Sequence, residues 1–154
     1  MKSLVTGANG FVGSAVARCL LEAGHEVRCL VRAGSDQSNL KGLPVEISEG
    51  DLRDVASLKR AVTNCENLFH VAADYRLWVP DPETMYEINV KGTQELILAA
   101  SGADVSRIIY TSSVATLGIN LDGNPADENT PSSLNNMTGH YKRSKFLAEQ
   151  VVQH

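Results

Sequence analysis

The sequence predicts an α/β fold in which helices cover both faces of a parallel sheet. Three observations indicate this class. Short β-rich runs alternate with helical stretches, a glycine-rich turn joins the first run to the first helix, and the composition is that of an ordinary globular domain. Strands that alternate with helices form right-handed crossovers and therefore a parallel sheet. We expect a doubly wound sheet with five strands in the order 3-2-1-4-5.

Length and charge limit the function classes. The chain has 154 residues, a length that fits one domain, and its 14 basic and 18 acidic residues give a net charge of −4. A mildly acidic chain is a poor partner for nucleic acid or an anionic membrane. No run of apolar residues is long enough to span a membrane, and no secretion signal is visible. We therefore expect a cytoplasmic protein whose partner is a small molecule.

The three cysteines predict neither a disulfide framework nor a metal site. Cys19, Cys29 and Cys65 are odd in number, and no two of them have C-x-x-C spacing. We expect them to be buried thiols in a reducing compartment.

The elements of the first half follow the alternation. A strand is predicted at 4–6, and a helix follows it and ends near Gly24, which suits a left-handed cap. Strands are predicted at 27–31 and 45–47. The face of the first helix that we expect to pack inward contains Phe11, Val12, Ala15, Val16, Cys19 and Leu20.

The second half continues the same pattern. Asp54 is suited to cap a helix that ends near Asn64. The other predicted elements are a strand at 67–71, a long helix at 82–100, a strand at 107–111, a loop at 120–139 and a helix from Tyr141 to the end.

The glycine-rich turn predicts a dinucleotide site. Its glycines, Gly7, Gly10 and Gly13, have G-x-x-G-x-x-G spacing and lie between a strand and a helix. Gly7 permits the tight turn, Gly10 admits a pyrophosphate, and Gly13 permits close packing of the helix on the sheet. This pattern is typical of a Rossmann-type fold, and a purely structural turn is the alternative.

The end of the second strand bears on the choice of cofactor. An acidic residue there binds the ribose of NAD, whereas an arginine accommodates the 2′-phosphate of NADP. The strand ends in Arg32, with no acid at its tip. We therefore expect NADP, with NAD as the second choice and a solvated arginine as the structural alternative. Asp51 follows the third strand and can approach adenine, or it can simply start a helix.

Hydroxyl groups and a lysine predict proton chemistry. Tyr141 and Lys145 have i, i+4 spacing on the last helix and share one face. A nearby ammonium favours a phenolate, so a tyrosine in this setting can exchange a proton with a substrate oxygen. Ser112 and Ser113 follow the fifth strand, where ligands bind in open α/β sheets.

With these motifs in order, the sequence resembles the extended short-chain dehydrogenase/reductase superfamily. Within it, the sequence is most similar to the hopanoid-associated sugar epimerases, which are related to the dihydroflavonol-4-reductase-like reductases. The motifs that carry the resemblance are residues 6–13, 50–54, 70–73, 89–93, 110–113 and 141–145, with 72–78 and 112–118 for the subgroup.

The resemblance implies roles for particular residues. Tyr141 would be the acid/base and Lys145 its activator, with Ser113 as the catalytic serine, Ser112 as the fallback and Asn89 in support. The residues that would bind the cofactor are Gly7, Asn9, Gly10, Phe11, Val12, Gly13, Arg32, Asp51, Leu52, Ala72, Ala73, Thr111, Tyr141 and Lys145.

The resemblance also implies two reactions and a longer protein. Either a reductase or a nucleotide-sugar epimerase uses hydride transfer at a carbon bearing oxygen, and Arg32 favours reduction with NADPH. The substrate would be a ketone or a sugar nucleotide. A non-catalytic redox sensor and a structural domain are the alternatives. We expect the amino-terminal half of a longer enzyme, without its substrate domain, inactive by itself and able to dimerise through helix 83–100 and the final helix.

Four further positions receive hypotheses from the sequence. His70 is expected to be a satisfied core histidine. Trp78 lines either a substrate entrance or an ordinary packed loop. Arg143 and Glu149 are expected on the solvated face of the last helix.

Overall fold

The computed structural model describes residues 1–154, and the chain forms two compact units. The first unit contains Met1–Ala73 and Glu95–Thr111. The second unit contains Asp74–Gln94 and Ser112–His154.

The first unit contains one parallel sheet of five strands. Its order is β3-β2-β1-β4-β5, which confirms the predicted order 3-2-1-4-5 and the Rossmann-type α/β fold. Residues of β1 lie between partners on both sides, so that Val5 is opposite Cys29 of β2 and Phe69 of β4. The strands are β1 Lys2–Thr6, β2 Glu26–Val31, β3 Glu46–Glu49, β4 Asn67–His70 and β5 Arg107–Tyr110.

Apolar side chains bury both faces of the central strand. Leu4 and Val5 point to opposite faces, and both are fully buried. One side of the sheet packs on the first helix, α1 (Phe11–Glu22), through Ala17 and Leu20. A strand buried on both faces is what a parallel sheet covered by helices requires.

The buried face of α1 differs from the predicted one. Its buried residues are Gly13, Ser14, Ala17 and Leu20, whereas Phe11 and Cys19 are exposed. The reason is steric, because the glycine turn brings the start of the helix so close that only small residues fit beneath it. The prediction that all three cysteines are buried is therefore wrong for Cys19, although Cys29 and Cys65 are buried.

Two predicted helix termini are confirmed. Gly24 has a φ of +80° and follows α1, and the amides of Gly24 and His25 donate to Leu21 and Leu20 as in a Schellman cap. Asp54 precedes α2 (Val55–Val62), and its side chain accepts from the amide of Ala56. α4 (Gly92–Gly102) covers the end of the predicted long helix.

The predicted long helix contains an unpredicted π-helical turn. It begins as α3 (Pro82–Tyr86), continues through the π-turn Glu87–Lys91 and only then becomes α4. A π-turn is rare and frequently accompanies functional sites. The last helix, α5, spans His140–Gln153. No helix combines the length and apolar character needed to cross a lipid bilayer.

Candidate functional site

The turn between β1 and α1 passes directly against the segment that follows β4. Gly7 has a φ of +66°, in the left-handed region that favours glycine. A β-carbon at Gly7 would lie 2.8 Å from the backbone of Ala72. Both the conformation and the close approach therefore require glycine at this position.

Gly13 permits the turn to fold onto its own helix. A β-carbon at Gly13 would lie 2.1 Å from the carbonyl oxygen of Gly7, a distance no structure tolerates. The close packing expected at Gly13 thus exists, but its partner is the turn backbone. Gly10 precedes α1 without a side-chain cap, so no side chain occupies the amide end of this helix, and such an end suits an anionic group.

Asn9 ties the glycine turn to the loop after β2. Its Nδ2 donates to the carbonyl oxygen of Asp36 at 2.9 Å, and its own carbonyl accepts from Asn39 Nδ2 at 2.9 Å. The amide of Asn9 is therefore occupied in holding two loops together. The neighbouring Phe11 is 90% exposed and Val12 is half-exposed, so both present apolar surface beside the turn.

An open cavity lies at the carboxyl ends of β2 and β3. It has a volume of about 650 Å³ and is lined by Arg32, Arg53 and Arg60. Neither Arg32 nor Arg60 forms a salt bridge. Sequence reasoning missed Arg53 and Arg60, although Arg53 lies in the motif 50–54, because only the path of the chain after β3 brings both side chains to this cavity.

Asp51 also lines the cavity, but its carboxylate is paired. Arg53 Nε and Nη2 donate to its two oxygens at 3.0 Å each. This pairing with Arg53 lowers the pKa of Asp51, with a smaller contribution from Arg32. Leu52 is buried beside it. The carboxylate is thus held ionised, with Oδ1 accepting two hydrogen bonds from Arg53 and Oδ2 accepting one.

A buried hydrogen-bond cluster holds the end of β4. Thr6 Oγ1 lies 2.7 Å from His70 Nδ1 and accepts from the amides of Val71 and Ala72 at 3.2 Å each. His70 is fully buried, which confirms the core histidine expected from the sequence. Thr111 extends from β5, and its amide donates to the carbonyl oxygen of His70. Ala73 closes this segment of the first unit.

In the second unit, Asn89 connects the chain after β4 to α5. Its Oδ1 accepts from the amide of Asp74 at 2.7 Å, and its Nδ2 donates to the Asp74 carbonyl and to Ser144 Oγ at 2.8 and 2.9 Å. Ser144 Oγ in turn donates to the carbonyl oxygen of Tyr141 at 2.8 Å. Both amide protons of Asn89 are therefore used, so the side chain positions its neighbours.

The two serines after β5 have different hydrogen bonds. Ser112 donates its proton to the carboxylate of Glu149. Ser113 Oγ accepts from the amide of Ala115 at 3.1 Å and caps the short 3₁₀ turn Val114–Thr116. An oxygen that accepts a hydrogen bond becomes a better donor, so Ser113 has its own proton for another acceptor.

Lys145 is buried on the face of α5 that also carries Tyr141. Only 3% of Lys145 is exposed, and burial lowers its pKa to about 8, while Glu149 raises it in part. Tyr141 is half-buried. Lys145 lies one turn further along α5, as the spacing predicts. An ammonium held at low dielectric favours negative charge nearby, which is what a proton-donating tyrosine needs.

The structure assembles the predicted residues in two groups. The first unit joins the glycine turn to Ala72 and carries the arginine cavity. The second unit joins Asn89 to α5 and, through Glu149, connects α5 to the serine segment. The exposed side chains of Tyr75, Leu77 and Trp78 belong to the second unit, and Arg76 pairs with Asp74 there.

Comparisons with known proteins identify a family and several relatives. Residues 3–154 match the family described as the NAD dependent epimerase/dehydratase family. The chain is 47% identical over 146 residues to a protein of Synechocystis sp. named dihydroflavonol 4-reductase, across 95% of this chain and 42% of that protein.

Solved structures show the same fold. The crystal structure of gox2253 is 59% identical with a TM-score of 0.92, across 97% of this chain and 46% of that one. A short-chain dehydrogenase/reductase superfamily protein from Agrobacterium tumefaciens with bound NAD is 30% identical with a TM-score of 0.83, across 99% of this chain and 44% of that one. The chain therefore spans less than half the length of these relatives. It belongs to the NAD dependent epimerase/dehydratase family, within the extended short-chain dehydrogenase/reductase superfamily.

Proposed function

We propose that the protein containing this chain is an NADP-dependent reductase that transfers hydride to a carbonyl carbon. The observation that carries the proposal is the buried Lys145 one helical turn from Tyr141, together with a Ser113 hydroxyl whose proton is available. The relative named dihydroflavonol 4-reductase supports a reductase. A ketone is the expected substrate class, and the cytoplasm is the expected compartment.

The residues of the first unit fit a dinucleotide. The glycine turn offers backbone where a β-carbon would clash, and the uncapped end of α1 suits a pyrophosphate. We assign the pyrophosphate to Gly7, Gly10, Gly13 and the neighbouring Asn9, Phe11 and Val12. Asp51 and Leu52 would contact adenine, and Ala72, Ala73 and Thr111 would border the ribose and phosphates.

The arginine cavity favours NADP over NAD. Two guanidinium groups without salt bridges, Arg32 and Arg60, face a cavity at the end of β2, and arginine binds phosphate through charge-assisted hydrogen bonds. The bound NAD of the Agrobacterium tumefaciens relative supports a nicotinamide dinucleotide in general. The 2′-phosphate is our own inference from the arginines.

The chain's residues would manage the proton of the reaction. A bound nicotinamide dinucleotide supplies the hydride. Ser113 would donate a hydrogen bond to the carbonyl oxygen and so stabilise its developing charge. Tyr141 would donate the proton to that oxygen, and Lys145 would favour the resulting phenolate. Asn89 would hold the segment that carries Tyr141 through Ser144.

Fluorescence titration with NADPH and NADH tests the cofactor assignment. We expect NADPH to bind at least about tenfold more tightly, which corresponds to about 1.4 kcal/mol. Arg32→Ala should remove most of that preference, whereas Arg107→Ala, an exposed arginine at the start of β5, should preserve it. Tighter binding of NADH by the unmodified protein would refute the 2′-phosphate assignment.

A tyrosine substitution tests the catalytic assignment. Tyr141→Phe in the protein containing this chain should lower kcat at least about a hundredfold, in line with the usual contribution of general acid catalysis. The affinity for NADPH should stay within twofold. Undiminished turnover would show that another group supplies the proton.

Epimerisation is the second candidate function, because the matching family includes epimerases by its description. In an epimerase, Tyr141 would remove a hydroxyl proton and later return it. A reductase consumes one NADPH for each product formed. An epimerase starts from the oxidised dinucleotide, which takes the hydride from the substrate and gives it back, so no net NADPH is consumed, and the stoichiometry separates the two. A redox sensor would bind the cofactor without turnover.

A homodimer through the long helix and the final helix is also proposed. Leu98 of α4 is 59% exposed, and an exposed leucine on a helix face suits a subunit contact. Sedimentation should show a dimer that Leu98→Asp dissociates. A monomer in both proteins would contradict this assignment.

A further inference from the structure

Glu149 contacts the serine segment, contrary to the solvated position expected from the sequence. It lies on α5 and is half-buried. Its carboxylate accepts a hydrogen bond from Ser112, and Oε2 lies 3.1 Å from Thr116 Oγ1. The expectation for Arg143 is also wrong, because it is half-buried and its Nη1 donates to the carbonyl oxygen of Leu134. Packing of α5 on the 3₁₀ turn Val114–Thr116 explains the position of Glu149.

The protons of three neighbouring hydroxyls determine what each can do. Ser112 has one proton, and it points to Glu149. The proton of Thr116 is shared between the Ser113 carbonyl at 2.8 Å and Glu149 at 3.1 Å. Ser113 alone accepts on its oxygen without spending its proton on another residue of this group. The carboxylate therefore makes the two serines different as donors, because Ser112 gives its proton to Glu149 whereas Ser113 does not.

The same carboxylate also acts along its own helix. Glu149 follows Lys145 by one turn, and its charge raises the pKa of Lys145 against the larger effect of burial. One side chain thus connects the serine segment to the lysine. The sequence offers no motif that would identify this connection, since Glu149 and Ser112 are 37 residues apart.

We propose that Glu149 is a positioning residue that occupies Ser112 and Thr116, so that Ser113 and not Ser112 donates to the substrate oxygen. This assignment rests on the proposed function. The carboxylate holds the turn Val114–Thr116 on α5, and the turn holds Ser113 through the amide of Ala115. Removal of the acceptor releases the proton of Ser112 and loosens the turn.

Kinetics of serine variants in two backgrounds test the selection of Ser113. The assay is NADPH oxidation by the protein containing this chain with a panel of ketones and aldehydes. With Glu149 present, Ser113→Ala should lower kcat at least about tenfold more than Ser112→Ala, as expected for loss of a direct oxyanion donor. In the Glu149→Ala background this difference should shrink to about threefold or less, because the freed Ser112 proton becomes a second donor. An unchanged difference would overturn the selection.

Amide hydrogen exchange tests the positioning step without any turnover. Glu149→Ala should speed exchange of the Ala115 and Thr116 amides at least about tenfold, since their segment loses its link to α5. Glu149→Gln keeps an acceptor and should stay near the unmodified rate, and so should the control Lys142→Gln at an exposed position on the same helix. Unchanged exchange in Glu149→Ala would overturn the positioning role. Absence of turnover in the unmodified protein would refute the proposed function itself, and this is seen before any variant is compared.

Discussion

Lys145 is a cationic residue that the fold buries almost completely. Only 3% of it is exposed, and its pKa falls from 10.5 to about 8. Burial disfavours the charged form, and the nearby Glu149 offsets only part of that effect. The side chain to which we assign a role in the proposed reaction is therefore also one that costs stability at neutral pH.

The stability of the protein should depend on pH through Lys145. Because the pKa is lower in the folded state, the cost is fully present below about pH 8 and is relieved as pH rises toward 10.5. The difference of about 2.5 pKa units corresponds to about 3 kcal/mol. Relative to Lys145→Met, the free energy of unfolding of the unmodified protein should rise by up to that amount over this range.

Urea denaturation between pH 7 and pH 10 measures this effect. Lys142→Met is the matched control, because Lys142 is an exposed lysine on the same helix and should not change the pH dependence. Parallel stability curves for the unmodified protein and Lys145→Met would contradict the assignment.

At the scale of elements, the glycine turn combines a tight fold with an open surface. Gly13 has no room for a β-carbon, because the Gly7 oxygen is 2.1 Å from where that carbon would be. Gly10 has more room, with the same oxygen at 3.3 Å. Gly13 is therefore required for packing of the turn, whereas Gly10 is the position at which a side chain would affect the proposed pyrophosphate site.

Alanine at the two positions should have different effects. Gly13→Ala should lower the free energy of unfolding by about 2 kcal/mol or more, since the turn must move to admit the methyl group. Gly10→Ala should cost under about 1 kcal/mol by the same reasoning, yet weaken NADPH binding at least tenfold. Thermal melting and NADPH titration measure both. Gly24→Ala, which has open space and only an unfavourable φ, is the control for stability loss with intact binding.

The π-turn Glu87–Lys91 is the second element whose geometry positions a particular side chain. It presents Asn89 toward the Asp74 backbone and Ser144, where the side chain makes three hydrogen bonds. A π-helical turn changes the direction of side chains relative to a regular helix. This change explains how a helical asparagine serves both the loop after β4 and α5.

Asn89→Ala should destabilise the second unit. Loss of this side chain removes two hydrogen bonds to the partly buried Asp74 backbone and one to the buried Ser144 hydroxyl, and it should lower the free energy of unfolding by about 3 kcal/mol. Chemical denaturation measures the change, with Asn135→Ala, an exposed asparagine, as the control. Equal stability of the two variants would show that Asn89 does not hold these segments.

At the scale of the whole chain, the contacts of Arg28 and the proposed dinucleotide site lie at opposite edges of the sheet. The cavity and the glycine turn lie at the carboxyl ends of the strands. Near the amino ends, Arg28 Nη1 donates to the carbonyls of Ala61 and Thr63 at 2.7 Å each, and its Nε pairs with Glu46 at 2.8 Å. Arg28 is only 9% exposed, so it joins β2, β3 and the end of α2 from inside the fold.

Arg28→Met should therefore lower the stability of the protein without changing its affinity for NADPH. The buried carbonyl of Ala61 and the partly buried carbonyl of Thr63 lose a charged donor, and we expect a loss of about 2 to 4 kcal/mol in the free energy of unfolding. The affinity for NADPH should remain within twofold, because the cavity residues are untouched. Urea denaturation and titration test both statements, and Lys59→Met on the exposed side of α2 serves as the control. A variant that loses NADPH affinity while it keeps its stability would contradict this division.

Local patterns predicted much of the fold and part of the site. Short β-rich runs identified the strands, and Gly24 and Asp54 marked helix ends correctly because caps depend on neighbouring residues. Local patterns of the same kind predicted part of the site, namely the glycine turn, Arg32, and the pair Tyr141 and Lys145. The inward face of α1 was not predictable in this way, because the turn that selects it is a three-dimensional feature.

The sequence by itself determined the turn and the helix that carries Tyr141, since each depends on residues close together in the chain. The alternation of strands and helices predicted the strand order, because crossovers in such sheets follow few topologies. Tertiary structure alone decided which arginines share a cavity. It also decided that Asn89 uses both of its side-chain amide protons and that Ser113, unlike Ser112, keeps its hydroxyl proton for another acceptor. These outcomes depend on contacts between distant segments, such as Glu149 with Ser112. Burial and hydrogen-bond distances exist only after such segments pack, so no local pattern contains them.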